Sequence, residues 1–334
     1  MLSSPRLALP LARAASLALA ALGVAACRGE RDAPAAGAPA AAAAPASDAA
    51  LGEAVPRDDD GVPVPLGLRP ARIVSTGPVT TEVLFAIGAG HRLVGRSRWD
   101  GYPAEARRVP EVGDALGLNL ERILATRPDL VVIYAAAANR DAAARLRALG
   151  IPVVALRIDR VDELARGARL LGRVVGESAA AVAVVDSVQR TLARVRAATR
   201  AAVAAGRPRP RVVMPLLGEP LFVIGGGSFL SELVDVAGGT NVFGDDARPA
   251  PQVSREEVLR RGADVVLVSP GGARRLAADP GWQGLAAVRG GRVLTIDTAL
   301  VQRPSVQLGQ AAVMLARLLH PGVALDGAAS GGTR

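Results

Sequence analysis

Lysine is absent from all 334 residues, and arginine alone supplies the forty basic side chains. That absence excludes a Walker A phosphate loop, Schiff-base chemistry, pyridoxal phosphate attachment and a lysine general base. The one cysteine, Cys27, excludes an intrachain disulfide and a cysteine-rich zinc site. The two histidines, His91 and His320, are too far apart for an HExxH helix and too few to build a metal site. Aromatic residues make up only 2% of the chain, which leaves little to stack on nucleic-acid bases. No GxSxG turn occurs, and the scattered Ser, His and Asp residues outline no triad. The net charge of +9 is no nucleic-acid signature either. Acids are interspersed among the arginines, as in Asp159-Arg160-Val161-Asp162-Glu163, and no long basic run exists.

What is present is apolar side chain. It accounts for 50% of residues, ample for a packed core, in a length that suits two domains or one domain with two lobes. Residues 1–26 read as a signal peptide. Arg6 and Arg13 stand ahead of a short apolar stretch from Ala14 to Ala26, which falls short of the ~20 residues a bilayer span needs. Small residues run directly into the cysteine in Leu22-Gly23-Val24-Ala25-Ala26-Cys27, a pattern that resembles the lipobox of bacterial lipoproteins. The resemblance implies lipid attachment at Cys27 and a membrane-anchored protein outside the cytoplasm. An ordinary signal peptide with a chance cysteine is the alternative. Residues 27–65, rich in alanine and proline, read as a flexible tether.

From Ala71 onward, short β-branched runs alternate with longer helical patterns, the signature of an α/β fold class with parallel sheets. The pattern predicts strands at 72–75, 93–94, 130–133, 153–156, 211–214, 265–268 and 293–296, and helices over 81–87, 228–237 and 306–319. One unit recurs. Asn119-Leu120-Glu121-Arg122-Ile123-Leu124 leads to Asp129-Leu130-Val131-Val132. At a constant offset of 135 residues, Ser254-Arg255-Glu256-Glu257-Val258-Leu259 leads to Asp264-Val265-Val266-Leu267. Each copy opens on an N-cap residue and carries a glutamate at the second helical position. Two related lobes are expected, over 71–176 and 206–320, followed by a disordered tail at 321–334. Between the lobes, residues 177–205 contain neither proline nor glycine. At 1.5 Å per residue they would make a helix of about 43 Å, a stiff connector.

This layout of two α/β lobes with parallel sheets joined by one long rigid helix resembles the class III periplasmic substrate-binding proteins of iron-complex and vitamin B12 importers. The stretches that carry the resemblance are Arg72-Ile73-Val74-Ser75, Thr81-Glu82-Val83-Leu84-Phe85-Ala86-Ile87-Gly88-Ala89-Gly90, Asn119-Leu120-Glu121-Arg122-Ile123 and Ala237-Gly238-Gly239-Thr240-Asn241-Val242-Phe243. Pro251-Gln252-Val253-Ser254-Arg255-Glu256 is most similar to the B12-binding members. The resemblance implies a binding protein rather than an enzyme, with no cofactor or metal of its own. It implies a metal chelate held between the lobes, cobalamin first with a ferric siderophore or haem as alternatives, and delivery to a dimeric ABC permease. It further implies that Glu121 and Glu256 meet arginines of the two permease subunits, one per lobe. Where B12-binding members present further tryptophans, this chain has Ala115 and Ala250.

Ligands of parallel sheets lie beyond the carboxyl ends of the strands. The loops expected there carry the candidate ligand residues Thr76, Gly77, Trp99, Tyr102, Tyr134, Gly226, Ser228, Phe229 and Arg303, with Arg157 beside them. Trp99, Tyr134 and Phe229 offer flat apolar faces of the kind a macrocycle needs. Trp99 has two roles open to it, a ligand face or a lid over the lobe's own core, and Tyr102, just before Pro103, suits a structural role. Gly225-Gly226-Gly227-Ser228 ahead of a helix fits an anionic group or, equally, a tight turn with positive φ. Arg303 and Arg157 suit carboxylates or phosphate. Gly88-Ala89-Gly90 ends a helix and is no dinucleotide fingerprint, and His91 after it sits in a surface turn, a poor position for a haem ligand. A cell-envelope chelatase or hydrolase would need a nucleophile–base pair or metal cluster, for which the histidine and cysteine counts leave no material. A ligand sensor stays compatible with the chain.

Overall fold

The computed structural model describes residues 55–325. The expected signal peptide, Cys27 and residues 326–334 of the expected tail lie outside the described residues. In the first lobe, β1 (Ile73–Ser75), β2 (Leu93–Ser97), β3 (Glu111–Gly113), β4 (Leu130–Tyr134) and β5 (Val153–Leu156) form a wholly parallel sheet in the order β3-β2-β1-β4-β5. Helices α1 (Pro78–Ala86), α2 (Leu120–Ala125) and α3 (Arg140–Ala148) supply crossovers, and α4 (Val161–Val175) leads into the long α5 (Ser178–Ala204). In the second lobe, β6 (Arg211–Val213) is followed by an antiparallel hairpin, β7 (Pro215–Leu216) and β8 (Phe222–Val223). After α6 (Phe229–Val236) come β9 (Thr240–Asn241), α7 (Arg255–Arg261), β10 (Val265–Val268), α8 (Pro270–Ala278), α9 (Ala286–Arg289) and β11 (Val293–Thr295). The second sheet is parallel, in the order β11-β10-β6-β9, and the chain closes with α10 (Thr298–Val301) and α11 (Leu308–Leu319).

The unbroken apolar strands are explained by burial on both faces of each sheet. Along β4, Leu130 and Val132 join one hydrophobic cluster while Val131 and Ile133 join another on the opposite face. Along β10, Val265 and Leu267 divide from Val266 and Val268 in the same way. The first of these clusters is common to both lobes and takes in one face of α5, with Ala181, Val185, Val188, Leu192 and Val195 recurring at helical spacing. α5 packs on α1 and α4 of the first lobe and on α6 and α11 of the second. Its approach to α4 is close: a Cβ on Gly172 would stand 2.4 Å from that of Ala181, so only glycine fits.

The repeated unit has a common physical basis in the two lobes. Asn119 and Ser254 each cap their helix, accepting from the backbone N–H of Arg122 and Glu257. The aspartate that leads each strand holds the start of the neighbouring strand. Asp129 accepts from the backbone of Ala71 and Arg72, and Asp264 from that of Arg211. Arg72 and Arg211 return the contact by donating to carbonyls at the ends of α2 and α7.

Two expectations are corrected. α1 begins at Pro78 rather than at 81, because proline is favoured in the first helical turn, where its missing N–H goes unused. The expected tether does not run to residue 65. From residue 55 the chain is folded onto the first lobe, with Val64 in its core and Asp58 buried. The Asp58 carboxylate accepts from the N–H groups of Asp60, Val62 and Ala155 and pairs with Arg147 at 2.8 Å. Composition suggests a tether, but one carboxylate with so many donors anchors the segment. Replacing Asp58 with alanine should therefore cost about 2–3 kcal/mol in a urea melt, since charge-assisted hydrogen bonds are lost and buried donors stranded. A loss within experimental error would mean that residues 55–65 do not contribute to the folded lobe.

Candidate functional site

Beyond the carboxyl ends of the strands, a cleft of about 780 Å³ opens between the lobes. From the first lobe it is lined by Gly77 to Thr80 after β1, Trp99 after β2, Ala115, Tyr134 at the end of β4, and Arg157 to Arg160 after β5. The second lobe contributes Gly227 to Phe229 ahead of α6, Pro249, and Gln302 to Pro304 ahead of α11. A second basin of about 560 Å³ runs from it into the second lobe, and the two share Ser228, Phe229, Pro249 and Gln302.

Three aromatic side chains meet in the cleft. Trp99 is 61% exposed, so it does not lid the core of its lobe. Its indole Nε1 donates to Asp114 at 2.6 Å, which fixes the orientation of the ring at the cleft wall. The Tyr134 hydroxyl donates to both carboxylate oxygens of Asp159 at 2.9 Å. Burial, reinforced by that hydrogen bond, pushes its pKa up to about 12. Phe229 is almost wholly buried and forms floor rather than wall.

The cleft arginines are already engaged. Arg160 crosses between the lobes, with Nε 2.6 Å from Glu232 and Nη1 donating to the Gly227 carbonyl at 2.9 Å. Arg303 crosses in the other direction, and its Nε donates to Glu82 of α1 at 2.6 Å. Arg157 donates to the Ala135 carbonyl and lies 4.0 Å from Asp159. Arg303 lines the cleft while its Nε is committed to the wholly buried Glu82 carboxylate. In the first turn of α4, Glu163 reaches back to accept from the backbone of Asp159 and Arg160, fixing the loop that carries both.

A cleft between two parallel α/β lobes, crossed by arginines and backed by one long helix, fits capture of a small molecule rather than chemistry upon it. The sequence matches the periplasmic binding protein family model from residue 73 to residue 300. The chain belongs to that family. A vitamin B12-binding protein of Pectobacterium carotovorum is 30% identical over 239 residues, covering 72% of this chain and 84% of that protein. The periplasmic vitamin B12-binding protein of Vibrio cholerae superposes with a TM-score of 0.64 at 27% identity, covering 75% of this chain and 97% of that one. A periplasmic haem-binding protein of Roseiflexus superposes with a TM-score of 0.65 at 25% identity, covering 74% and 98% of the two chains. Family membership makes this a binding protein, not an enzyme. No described helix is long and apolar enough to cross a membrane.

The other candidate residues of this binding protein divide. Gly77 and Ser228 line the cleft, and Ser228 caps α6 through its side chain. Thr76 does not line it; it is buried at the end of β1, where its N–H bonds Val132. Tyr102 lies outside the cleft lining, as a structural residue would. Gly226 is also outside, and the positive-φ reading of its loop needs correction. The N–H groups of Gly225, Gly226 and Ser228 are spent on backbone carbonyls, so they offer an anion nothing. None of the three glycines has positive φ; each is needed because a Cβ there would stand about 2.1–2.2 Å from a carbonyl oxygen of residues 244–248. His91 turns to the Gly88 carbonyl and His320 to that of Gly238, and neither lines the cleft.

The sequence reading missed Asp114, Asp159, Arg160 and Glu82 as partners. Asp114, Asp159 and Arg160 carried only the signal of lying near strand ends, and Glu82 only that of an acid inside a helix, neither of which reveals what each touches. Behind the cleft, Glu82 and Asp100 are both buried. Asp100 accepts from Ser97 and Thr81, yet burial outweighs those bonds and raises its carboxyl above the ordinary 3.8. Burial likewise raises Glu82 above 4.5 against the opposing pull of Arg303. The folded chain therefore holds these protons to higher pH than the unfolded one. Their stabilising contribution is complete below the ordinary values and is lost as pH rises through the folded ones. Relative to the parent, Asp100→Asn should gain stability as pH rises above about 4, until the folded-state carboxyl is fully ionised, read from denaturant midpoints. A difference that does not change with pH would mean that Asp100 titrates as in the unfolded chain.

Proposed function

We propose that this binding protein captures a corrinoid, cobalamin before any other metal chelate, and hands it to the permease of an ABC importer. The observation that carries the reading is a broad aromatic cleft whose arginines are already engaged from within. Cobalamin has one phosphodiester and many amides, so it needs flat apolar faces and polar partners more than a field of positive charge. Ferric siderophores and haem are more anionic and would gain from unpaired arginines. Haem iron would also have to compete with Asp159 for the Tyr134 hydroxyl, which donates to both of its carboxylate oxygens. The B12-binding relatives support the same ligand.

Calorimetry with cyanocobalamin, haem and a panel of ferric siderophores tests the assignment. Cyanocobalamin should bind tightest, and Trp99→Ala should weaken it by about 1–2 kcal/mol, roughly tenfold, through loss of a stacked indole face. Tight siderophore or haem binding with no response to cyanocobalamin would refute the corrinoid assignment.

Delivery rests on Glu121 and Glu256. Both are exposed at the second position of the matching helices α2 and α7, and neither has a salt-bridge partner among the described residues. Each would favour its own helix dipole by about 0.3–1 kcal/mol, but that local effect does not call for the same acid in both lobes. Their symmetric occurrence supports docking to paired arginines of the permease. The small residues leading into Cys27 support a lipid anchor that keeps the protein at the membrane. In cells, reversing both charges with Glu121→Arg and Glu256→Arg should abolish cobalamin uptake while calorimetric affinity stays unchanged. Cys27→Ser should release the protein from the membrane fraction. Normal uptake by the double reversal, or an unlipidated, soluble parent protein, would remove the docking or the anchor respectively.

A further inference from the structure

A separate chamber lies where α4 of the first lobe and α6 of the second meet on α5. It measures about 310 Å³, at the lower end of the range for small-molecule sites. Its walls are apolar, with Leu164 on α4, Val185, Val188 and Leu192 on α5, and Val236 on α6. Among the described residues none lines both this chamber and the cleft, yet one ion pair connects the two. Arg160 lines the cleft and Glu232 lines the chamber, with 2.6 Å between Nε and Oε1.

The chamber also holds a cation that the fold leaves unsatisfied. Arg196 of α5 lines it, and its Nε is buried with no hydrogen-bond partner among the described residues. A buried donor without an acceptor is costly, and a charged one more so. The neighbouring polar side chains do not supply the acceptor. Asp162 stands in the first turn of α4, where the helix dipole favours an acid, and Glu232 is held by Arg160. Gln189 lines the chamber as well and makes no bond to the Arg196 Nε.

We propose that this chamber binds a small amphiphilic carboxylate, a medium-chain fatty acid, at a site distinct from the cleft. The carboxylate meets Arg196, whose guanidinium matches it in charge and geometry, and the chain lies among the leucine and valine side chains. An unbranched chain suits a slot between packed helices better than a bulky ring. Because the walls come from both lobes, the occupant braces α4 against α6 beside the Arg160–Glu232 tie. The site does not depend on which ligand fills the cleft.

Calorimetry on the full chain with octanoate and octan-1-ol, near pH 8 where octanoate is ionised, tests this. Octanoate should bind about tenfold tighter than octan-1-ol, the scale of a charge-assisted hydrogen bond over a neutral one. Arg196→Gln should erase that preference and leave octan-1-ol within about twofold of the parent. Ala193→Trp, at an exposed position on the chamber's rim, should block both compounds. Denaturant midpoints of the two variants report whether the fold is intact. With octanoate, amide hydrogen exchange of the parent should slow in α4, α5 and α6. Absence of octanoate binding at millimolar concentration, equal affinity for the two compounds, or binding that survives Ala193→Trp would overturn the site. So would protection confined to the loops of the cleft, which would put octanoate there instead.

Discussion

The seam along α5 holds the molecule in its working geometry. Ala181, Val185, Val188, Leu192 and Val195 are packed into a hydrophobic cluster that continues into both lobes, so neither lobe has a wholly separate interior. Moving one lobe against the other means sliding close-packed side chains past a helix, which interiors at near-crystalline density resist. The closest contact, Gly172 against Ala181, leaves no room for even one added carbon. The width of the cleft is therefore set from behind, by helix packing, before any ligand arrives. Arg160 and Arg303 then tie the lobes from the front. A site fixed in this way incurs little ordering entropy on binding, which favours affinity for a rigid ligand over accommodation of many.

Charge in the cleft follows from the same architecture. Every lysine-type position in this chain is arginine, a residue suited to anions, yet its cleft arginines serve the protein first. Glu82 is wholly buried and needs Arg303, and Glu232 sits between lobes and needs Arg160. Burial raises both carboxyls even with these partners present, a sign that desolvation exceeds the compensation offered. The arginines are held by structural demand, and Trp99, Tyr134 and Gln302 are among the side chains left facing the cleft. Arg275, which lines the second basin, donates to the Leu217 carbonyl and has no carboxylate partner among the described residues.

Much of this was legible in the chain alone, and for identifiable reasons. Parallel strands buried on both faces must be apolar throughout, so β4, β5 and β10 stand out as Leu130–Ile133, Val153–Leu156 and Val265–Val268. Helix caps are local, so Asn119 and Ser254 announced α2 and α7 and exposed the repeat between lobes. The absence of proline and glycine over 177–205 marked the long helix. Short strands of mixed composition carry no such signal. Glu111–Gly113, Thr240–Asn241 and the β7–β8 hairpin exist because neighbours pair with them. Residues 55–65 carried a contrary signal, since composition cannot report that Asp58 finds Arg147 and Ala155 far along the chain.

The chain alone marks which residues could approach a ligand: loops at strand ends, with Trp99, Tyr134 and Ser228 among them. Which side chains remain available once the protein has satisfied itself emerges only when the lobes are folded together. Thr76 is lost to burial, Arg303 is engaged by Glu82, and the N–H groups of Gly225 and Gly226 are spent on carbonyls from residues 243–249. Strand and helix periodicity arise from interactions a few residues apart, so they can be read along the chain. Arg303 and Glu82 are separated by 221 positions, and a pairing at that distance exists only after the two lobes have been folded against one helix.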